Sequence, residues 1–270
     1  MHHMMLEGFR GFGTRLDDLR LVHDVLEESP ERLGLQAIMP PFLLPYYTGV
    51  APDDCGISGF IFVIGGHITL HTLSRRQTYF MDVVAPETFD AAALQSMVST
   101  AYPTEVANVV VVERAGAAPI AEPLEADVDF GPHLLLDVED YRGPHGMEPL
   151  FGLLSALPAE VGMTPIMRPY VVQYESETHG RIVSGLTMIA ESHVSLHAFK
   201  DSARAYADVF SCRFFERESV VARLKLRLAG GRYTEGMVRR GRSYRRMRAE
   251  PAVRAARVRR WVDAVSTTAG

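Results

Sequence analysis

Cysteine is nearly missing from this 270-residue chain: Cys55 and Cys212 are the only two. Two thiols cannot staple a disulfide framework, so the fold must rest on an apolar core, and each cysteine reads as a free thiol in a reducing compartment. Long apolar runs are missing as well. The longest, Gly59 to Gly66, falls far short of the roughly 20 residues needed to span a bilayer. The opening Met1-His2-His3-Met4 lacks the charged start and apolar centre of a secretory signal, so a cytoplasmic protein without membrane attachment is expected. With 47% hydrophobic and 23% charged residues, the composition excludes disordered, collagenous and coiled-coil chains and leaves an ordinary globular one.

The net charge of −5 is unevenly spread, because residues 221–270 hold 14 of the 28 Lys and Arg against three acids. A basic end can track phosphates, but the acidic remainder of the same chain, or of a second copy, is a nearer partner, so no nucleic acid is expected. From Pro251, the spacing of Ala252, Val253, Ala256, Trp261 and Val265 predicts a short amphipathic helix with arginines on its wet face.

An internal repeat organises the rest. Ser58-Gly59, His67, Leu70-His71 and Asp82-Val83 recur as Ser184-Gly185, His193, Leu196-His197 and Asp208-Val209 at a constant offset of 126. Upstream, Leu33-Gly34 with Ile38-Met39 echoes Val161-Gly162 with Ile166-Met167 at an offset of 128, a change that a loop absorbs. Four segments follow: a unit over 1–115, a linker over 116–129 rich in Ala, Pro and acids, a second unit over 130–247, and a basic tail over 248–270. Within the units, Phe60–Ile64, His67–His71, Val106–Val112 and Met167–Tyr174 read as strands, and Leu16–Glu28, Met147–Leu157 and Ala203–Val209 as helices. The expected class is α+β, two tandem αβ units whose sheets join or stack.

The halves differ chemically. Where the second has Ser192 and Cys212, the first has Gly66 and Pro86, although the other serine, both histidines and the aspartate recur in both. Three readings of these residues stand side by side. Taken singly, each histidine reads as a packed, hydrogen-bonded sheet residue and Cys212 as a small buried hydrophobe. The paired HxxxH strands can also be read as metal ligands, but no helical HExxH and no CxxC accompanies them, and no metal is expected. In the third reading, Ser192, His197 and Cys212 are nucleophile, proton carrier and acid.

Several segments resemble the prokaryotic S-adenosylmethionine decarboxylase family: Gly131-Pro132-His133-Leu134-Leu135-Leu136-Asp137, Val183-Ser184-Gly185, Glu191-Ser192-His193-Val194-Ser195-Leu196-His197, Ala207-Asp208-Val209-Phe210-Ser211-Cys212 and Val238-Arg239-Arg240-Gly241. The resemblance implies an αββα sandwich made by a fused pair of family subunits, the first degenerate. It also implies self-processing. The Ser192 hydroxyl would attack the carbonyl of Glu191 and cut the chain there, leaving a pyruvoyl group made from Ser192. Ser184 and His197 would serve the processing step, and Cys212 would donate the proton to carbon in decarboxylation. The partner would be a small amino-acid-type substrate.

After the second histidine the family usually reads Thr-Trp-Pro-Glu, and here the chain reads Ala198-Phe199-Lys200-Asp201. By resemblance, Phe199 would stack on an adenine and Asp201 would accept from ribose hydroxyls. Some family members instead decarboxylate ornithine or arginine, for which Asp201, Glu175 and Glu177 would pair with a distal cation. Other relatives are non-catalytic regulators. S-adenosylmethionine decarboxylation, within polyamine synthesis, is the reading favoured here. Because single-unit members pair, a fused pair is expected to act as a monomer or to associate further as a homo-oligomer.

Overall fold

In a computed structural model, residues 1–45, 55–114, 129–190 and 192–242 are described. Glu191, the linker up to residue 128, the basic tail and the helix expected from Pro251 lie outside them.

The repeat becomes two six-stranded antiparallel sheets. The first contains β1 (His2–Phe9), β2 (Phe42–Pro45), β3 (Ile57–Val63), β4 (Gly66–Leu73), β5 (Thr78–Ala85) and β6 (Val106–Glu113). The second contains β7 (Gly131–Glu139), β8 (Tyr170–Ser176), β9 (Gly180–Ile189), β10 (Ser192–Phe199), β11 (Arg204–Ser211) and β12 (Arg232–Arg240). Their orders, β2-β3-β4-β5-β1-β6 and β8-β9-β10-β11-β7-β12, are identical with every strand moved on by six. The register repeats as well. Ser58 lies opposite His71 and Ser184 opposite His197, while His3 faces Val84 as His133 faces Phe210.

Helices cover the outer faces. The first sheet carries α1 (Gly13–Leu16), α2 (Leu19–Leu33) and α3 (Ala91–Ala101), and the second carries α4 (Met147–Glu160) and α5 (Arg217–Leu228). The sequence dictates α2 at both ends: the Asp18 side chain accepts from the Leu21 N–H at 3.1 Å, and Gly34 closes the helix at φ 70°. Val22, Val25, Leu26 and Leu33 fall on one face and are buried with Ile61, Ile68 and Leu70 of the sheet. In the second unit, Leu150, Leu153, Leu154 and Leu157 of α4 are buried with Val194, Leu196 and Ala198. Successive strand residues point to opposite faces, so His193, Ser195 and His197 turn inward to the other sheet. The result is a four-layer αββα sandwich.

One segment departs from expectation. Ala203–Val209, read above as a helix, is β11, hydrogen-bonded between β7 and β10. Its alternation decides this: Ala205, Ala207 and Val209 join the helix-side core, while Asp208 and Phe210 face the first sheet. The alanines favour a helix, but the period-two alternation and the tertiary contacts override that propensity.

The layer between the sheets is charged. Arg240, 1% exposed at the end of β12, donates to Glu7 at 2.6 Å, to Asp82 at 2.5 Å and to His133 Nδ1 at 2.8 Å, with its guanidinium 4.4 Å from the Phe210 ring centre. Its counterpart Arg114 reaches the other way, donating to Asp137 at 2.8 Å and to the Ala207 carbonyl at 2.7 Å. Each arginine leaves its own unit to neutralise a carboxylate of the other. Removing one leaves buried charge uncompensated, so Arg240→Met is expected to cost about 3–5 kcal/mol in urea unfolding at neutral pH. Lys225→Ala, which loses a half-exposed pair with Glu235, should cost below about 1 kcal/mol in the same assay.

Candidate active site

Ser192 opens β10 directly after the tight turn from Ile189, with which it pairs. It is buried, and a small cavity beside it is also lined by Cys212, Ile189 and Phe130 of the second unit. The opposite wall belongs to the first unit: Ser58 of β3, His71 of β4 and Phe80 of β5. Ser58 Oγ and His71 Nδ1 are 2.9 Å apart, and His71 Nε2 lies 3.1 Å from Nδ1 of His193, the residue after Ser192. A hydroxyl, an imidazole, a serine at a turn and a thiol thus meet where the two units face each other.

Ser184 and His197 are a pair too, with Ser184 Oγ 2.8 Å from His197 Nδ1, but they are not at this cavity. His197 is five residues from Ser192 along one strand, about 17 Å at the usual rise. It meets His67 of the first unit, whose Nδ1 is 2.8 Å from His197 Nε2. The two crossings, His71 with His193 and His67 with His197, are images of each other. With the sheets face to face around a pseudo-two-fold axis, each Ser–His pair points at the neighbouring unit's turn. The partners of Ser192 and Cys212 are therefore Ser58 and His71, which sequence reasoning did not assign. Their signal was present, in that the first half keeps its serine and histidines after losing Ser192's and Cys212's counterparts.

The substrate-contact expectations change for the same reason. Phe199 ends β10, about 23 Å of strand from Ser192, and is buried with Met1, Val84, Ile182 and Tyr206. Asp201 accepts from the Arg181 N–H at 3.4 Å beside the β8–β9 turn, and Glu175 pairs with Arg181 at 2.6 Å. None of these lines the Ser192 cavity. The aromatics that do are Phe80 and Phe130, stacked at 4.3 Å.

The equivalent place in the other copy is closed. Gly66 stands where Ser192 would be, and a Cβ there would lie 1.7 Å from the Val84 carbonyl oxygen. The Tyr174 hydroxyl fills the space, accepting from the Gly65 N–H and lying 3.4 Å from Ser184 Oγ. The first unit has lost its nucleophile, and its backbone has closed over the position.

Six histidines lie in the inter-sheet layer, and none is more than 5% exposed. Burial pushes His71, His133 and His197 down to about 3, so each is neutral at ordinary pH. Burial alone would raise the Asp208 carboxyl, but hydrogen bonds from His133 and His193 hold it well below the usual carboxylate range. Arg240 does the same for Asp82. Two triplets, His3–Asp82–His133 and His67–His193–Asp208, bring nitrogen and carboxylate atoms within 4.8 Å of one another. Within them His193 Nε2 lies 3.1 Å from Asp208, and Arg240 adjoins both Asp82 and His133. Neither Cys55 nor Cys212 is in a disulfide. Among the described residues no helix is long and apolar enough to cross a membrane.

This arrangement defines a class: a duplicated α+β sandwich with a serine–thiol site shared between its repeats. Residues 144–241 match the family model of S-adenosylmethionine decarboxylase. Among solved structures, the adenosylmethionine decarboxylase of Aquifex aeolicus VF5 aligns with 41% of this chain and 89% of its own, at 21% identity and a TM-score of 0.33. A protein of unknown function from Galdieria sulphuraria aligns with 88% of this chain and 96% of its own, at 10% identity and a TM-score of 0.20. No curated protein sequence matches.

Two outcomes follow from this geometry. Gly66→Ser should destabilise the protein by about 1–3 kcal/mol without a new cleavage at residue 66, because the added Cβ meets backbone and not a pliable side chain. Stability should also fall as pH drops. His71, His133 and His197 bind protons near 6.5 when unfolded but only near 3 when folded, so between those values acid favours the unfolded chain. The slope is up to about 1.4 kcal/mol per pH unit for each proton, and Asp82 and Asp208 continue the loss below the ordinary carboxylate value. Urea midpoints that stayed level from about pH 7 to pH 5 would contradict this.

Proposed function

We propose that this chain is a self-processing, pyruvoyl-dependent carboxy-lyase acting on S-adenosylmethionine. The observation that carries the reading is the cavity itself, which takes Ser192 and Cys212 from one unit and the Ser58–His71 pair from the other.

In processing, Ser192 Oγ adds to the carbonyl carbon of Glu191. The Glu191–Ser192 amide C–N bond then breaks, leaving an ester and a free amine. Ser58, a hydroxyl on the facing wall, is placed to donate to the oxyanion that forms in between. His71, neutral through burial, takes the α-hydrogen of residue 192 on Nδ1; the C–H electrons form a Cα=Cβ bond and the Glu191 carboxylate departs. Addition of water and loss of ammonia complete a pyruvoyl terminus on 192–270, with 1–191 as the other chain. The lining fits that group, since Ser192 is its only source atom set and Leu73, Phe80 and Ile189 keep the wall apolar. When formed, the group supplies an electron sink for an amine-linked substrate losing carbon dioxide. Cys212, a thiol on the cavity wall, returns a proton to carbon.

The lining also bears on the substrate. Among the described residues no carboxylate lines the cavity. The acids considered for the distal cation of ornithine or arginine, Glu175 and Asp201, lie at the far end of β9 from Ile189. Aromatic faces at Phe80 and Phe130 suit a sulfonium or a nucleobase instead.

Intact mass spectrometry of the freshly purified chain tests the mechanism. The expected products are residues 1–191 and a pyruvoyl-blocked 192–270, absent in Ser192→Ala. Ser58→Ala and His71→Gln should slow cleavage by about 10²-fold or more, whereas Ser184→Ala should leave it within about twofold. Cleavage that depended on Ser184 and not on Ser58 would overturn the cross-unit assignment. An intact, folded wild-type chain would overturn the enzyme reading in favour of a regulatory homologue. Carbon dioxide release should then be seen with S-adenosylmethionine and not with ornithine or arginine.

A further inference from the structure

The Ser58–His71 pair is the end of a longer chain of contacts. His71 Nε2 meets His193 Nδ1 at 3.1 Å, His193 Nε2 meets Asp208 Oδ2 at 3.1 Å, and His133 Nε2 reaches the same oxygen at 3.3 Å. The Ser195 hydroxyl donates to the other oxygen, Oδ1. Beyond His133, its Nδ1 accepts from Arg240 at 2.8 Å.

The proton positions along this chain are not independent. A guanidinium only donates, so His133 Nδ1 must be bare and its proton must sit on Nε2, aimed at Asp208. The Asp208 carboxylate only accepts, so the His193 proton sits on Nε2 as well. A neutral His193 then offers its Nδ1 lone pair to His71, which must donate from Nε2. That leaves His71 Nδ1 bare and facing the Ser58 hydroxyl, the form a base on that pocket requires. The wrong tautomer at His71 would present an N–H to Ser58 and no lone pair.

The other copy supplies the contrast. Ser184 and His197 are hydrogen-bonded, and His197 meets His67, just as in the first chain of contacts. There the sequence stops: among the described residues His67 Nε2, the counterpart of the nitrogen that Asp208 serves, has no hydrogen-bond partner, and neither has Thr69 Oγ1, the counterpart of Ser195. Asp82, the counterpart of Asp208, is held by Arg240 instead. Both copies keep the Ser–His pair that the fold accommodates. Only the pair on the Ser192 cavity keeps the carboxylate behind it.

We infer that His193 and Asp208 are positioning residues that fix the tautomer of His71 and hold the proton it collects. As a proton arrives from the pocket and the Nδ1–H bond forms on His71, its Nε2–H bond breaks and that proton forms a bond to His193 Nδ1. The charge then rests on His193, whose Nε2–H is still donated to Asp208, and the return transfer restores the starting state. The catalytic importance of this relay rests on the self-processing reading, but the tautomer does not.

The test is carried out on the uncleavable Ser192→Ala chain labelled with ¹⁵N-histidine, in which long-range ¹H–¹⁵N correlations report which ring nitrogen carries the proton. The expected result is His71 protonated on Nε2 and bare on Nδ1. Asp208→Leu, which removes the acceptor that holds the His193 proton on Nε2, should let an Nδ1–H form of His71 appear. In the chain that retains Ser192, the same change should slow self-cleavage by about 10²-fold or more, while Ser195→Ala slows it by under about tenfold. A His71 ring protonated on Nδ1 in the parent chain would overturn the inference, and that measurement does not require the Asp208 variant to fold. An unchanged tautomer in folded Asp208→Leu would overturn it too. Correct tautomers in a chain that never cleaves would sustain the relay and count against the self-processing reading alone.

Discussion

A guanidinium sealed between two sheets cannot be left without carboxylates, and for Arg240 those carboxylates come from the other unit. Glu7 and Asp82 stand on β1 and β5 of the first sheet, while Arg240 stands on the last strand of the second. Arg114 and Asp137 repeat the bargain in reverse. An apolar interface would tolerate slippage of one sheet over the other by a fraction of a strand. A layer of paired charges and six buried histidines does not, because any shift strands a donor or a charge in a low-dielectric space. The register between the sheets is thereby fixed, and so is the distance from Ser58 and His71 to the turn that carries Ser192.

The same pseudo-symmetry generates two equivalent places and then treats them unequally. One retains a serine at the turn, a thiol one strand away and a complete line of hydrogen bonds behind its histidine. At the other, Gly66, Pro86, Tyr174 and Phe199 occupy the corresponding space with backbone and aromatic rings. Ser184 and His197 persist there because they still satisfy each other and His67 inside the sandwich, which is a structural reason sufficient for buried polar groups.

Much of this was legible before any coordinates. The offset of 126 between the Ser-Gly and HxxxH blocks foretold duplicated units with equivalent strands, and the β-branched and aromatic runs Phe60–Ile64 and His67–His71 located β3 and β4. The Glu191-Ser192 junction and Cys212 stood out because the first half lacks both Ser192 and Cys212 counterparts. What could not be read was which unit completes which site, since a repeat gives equivalence but not the direction in which two faces stack. Phe199 and Asp201 were assigned by resemblance to the family's residues after the second histidine. An extended strand separates them from Ser192 faster than any other element, at about 3.3 Å for each step. Ala203–Val209 misled because its alanines favour a helix, although Arg204, Tyr206 and Asp208 alternate with them at a strand's period of two.

That Ser192 and His71 belong to different repeats has a consequence for how the chain meets dilution. Were the repeats separate molecules, the pocket would exist only at concentrations above their dissociation constant. Joined in one chain, each repeat experiences the other at a fixed effective concentration, of order millimolar for a short flexible connection, whatever the amount of protein present. Site assembly becomes first order. A single copy in a cell would hold a complete pocket, and a mutation that weakened the inter-sheet layer would surface as altered folding before it surfaced as lost association.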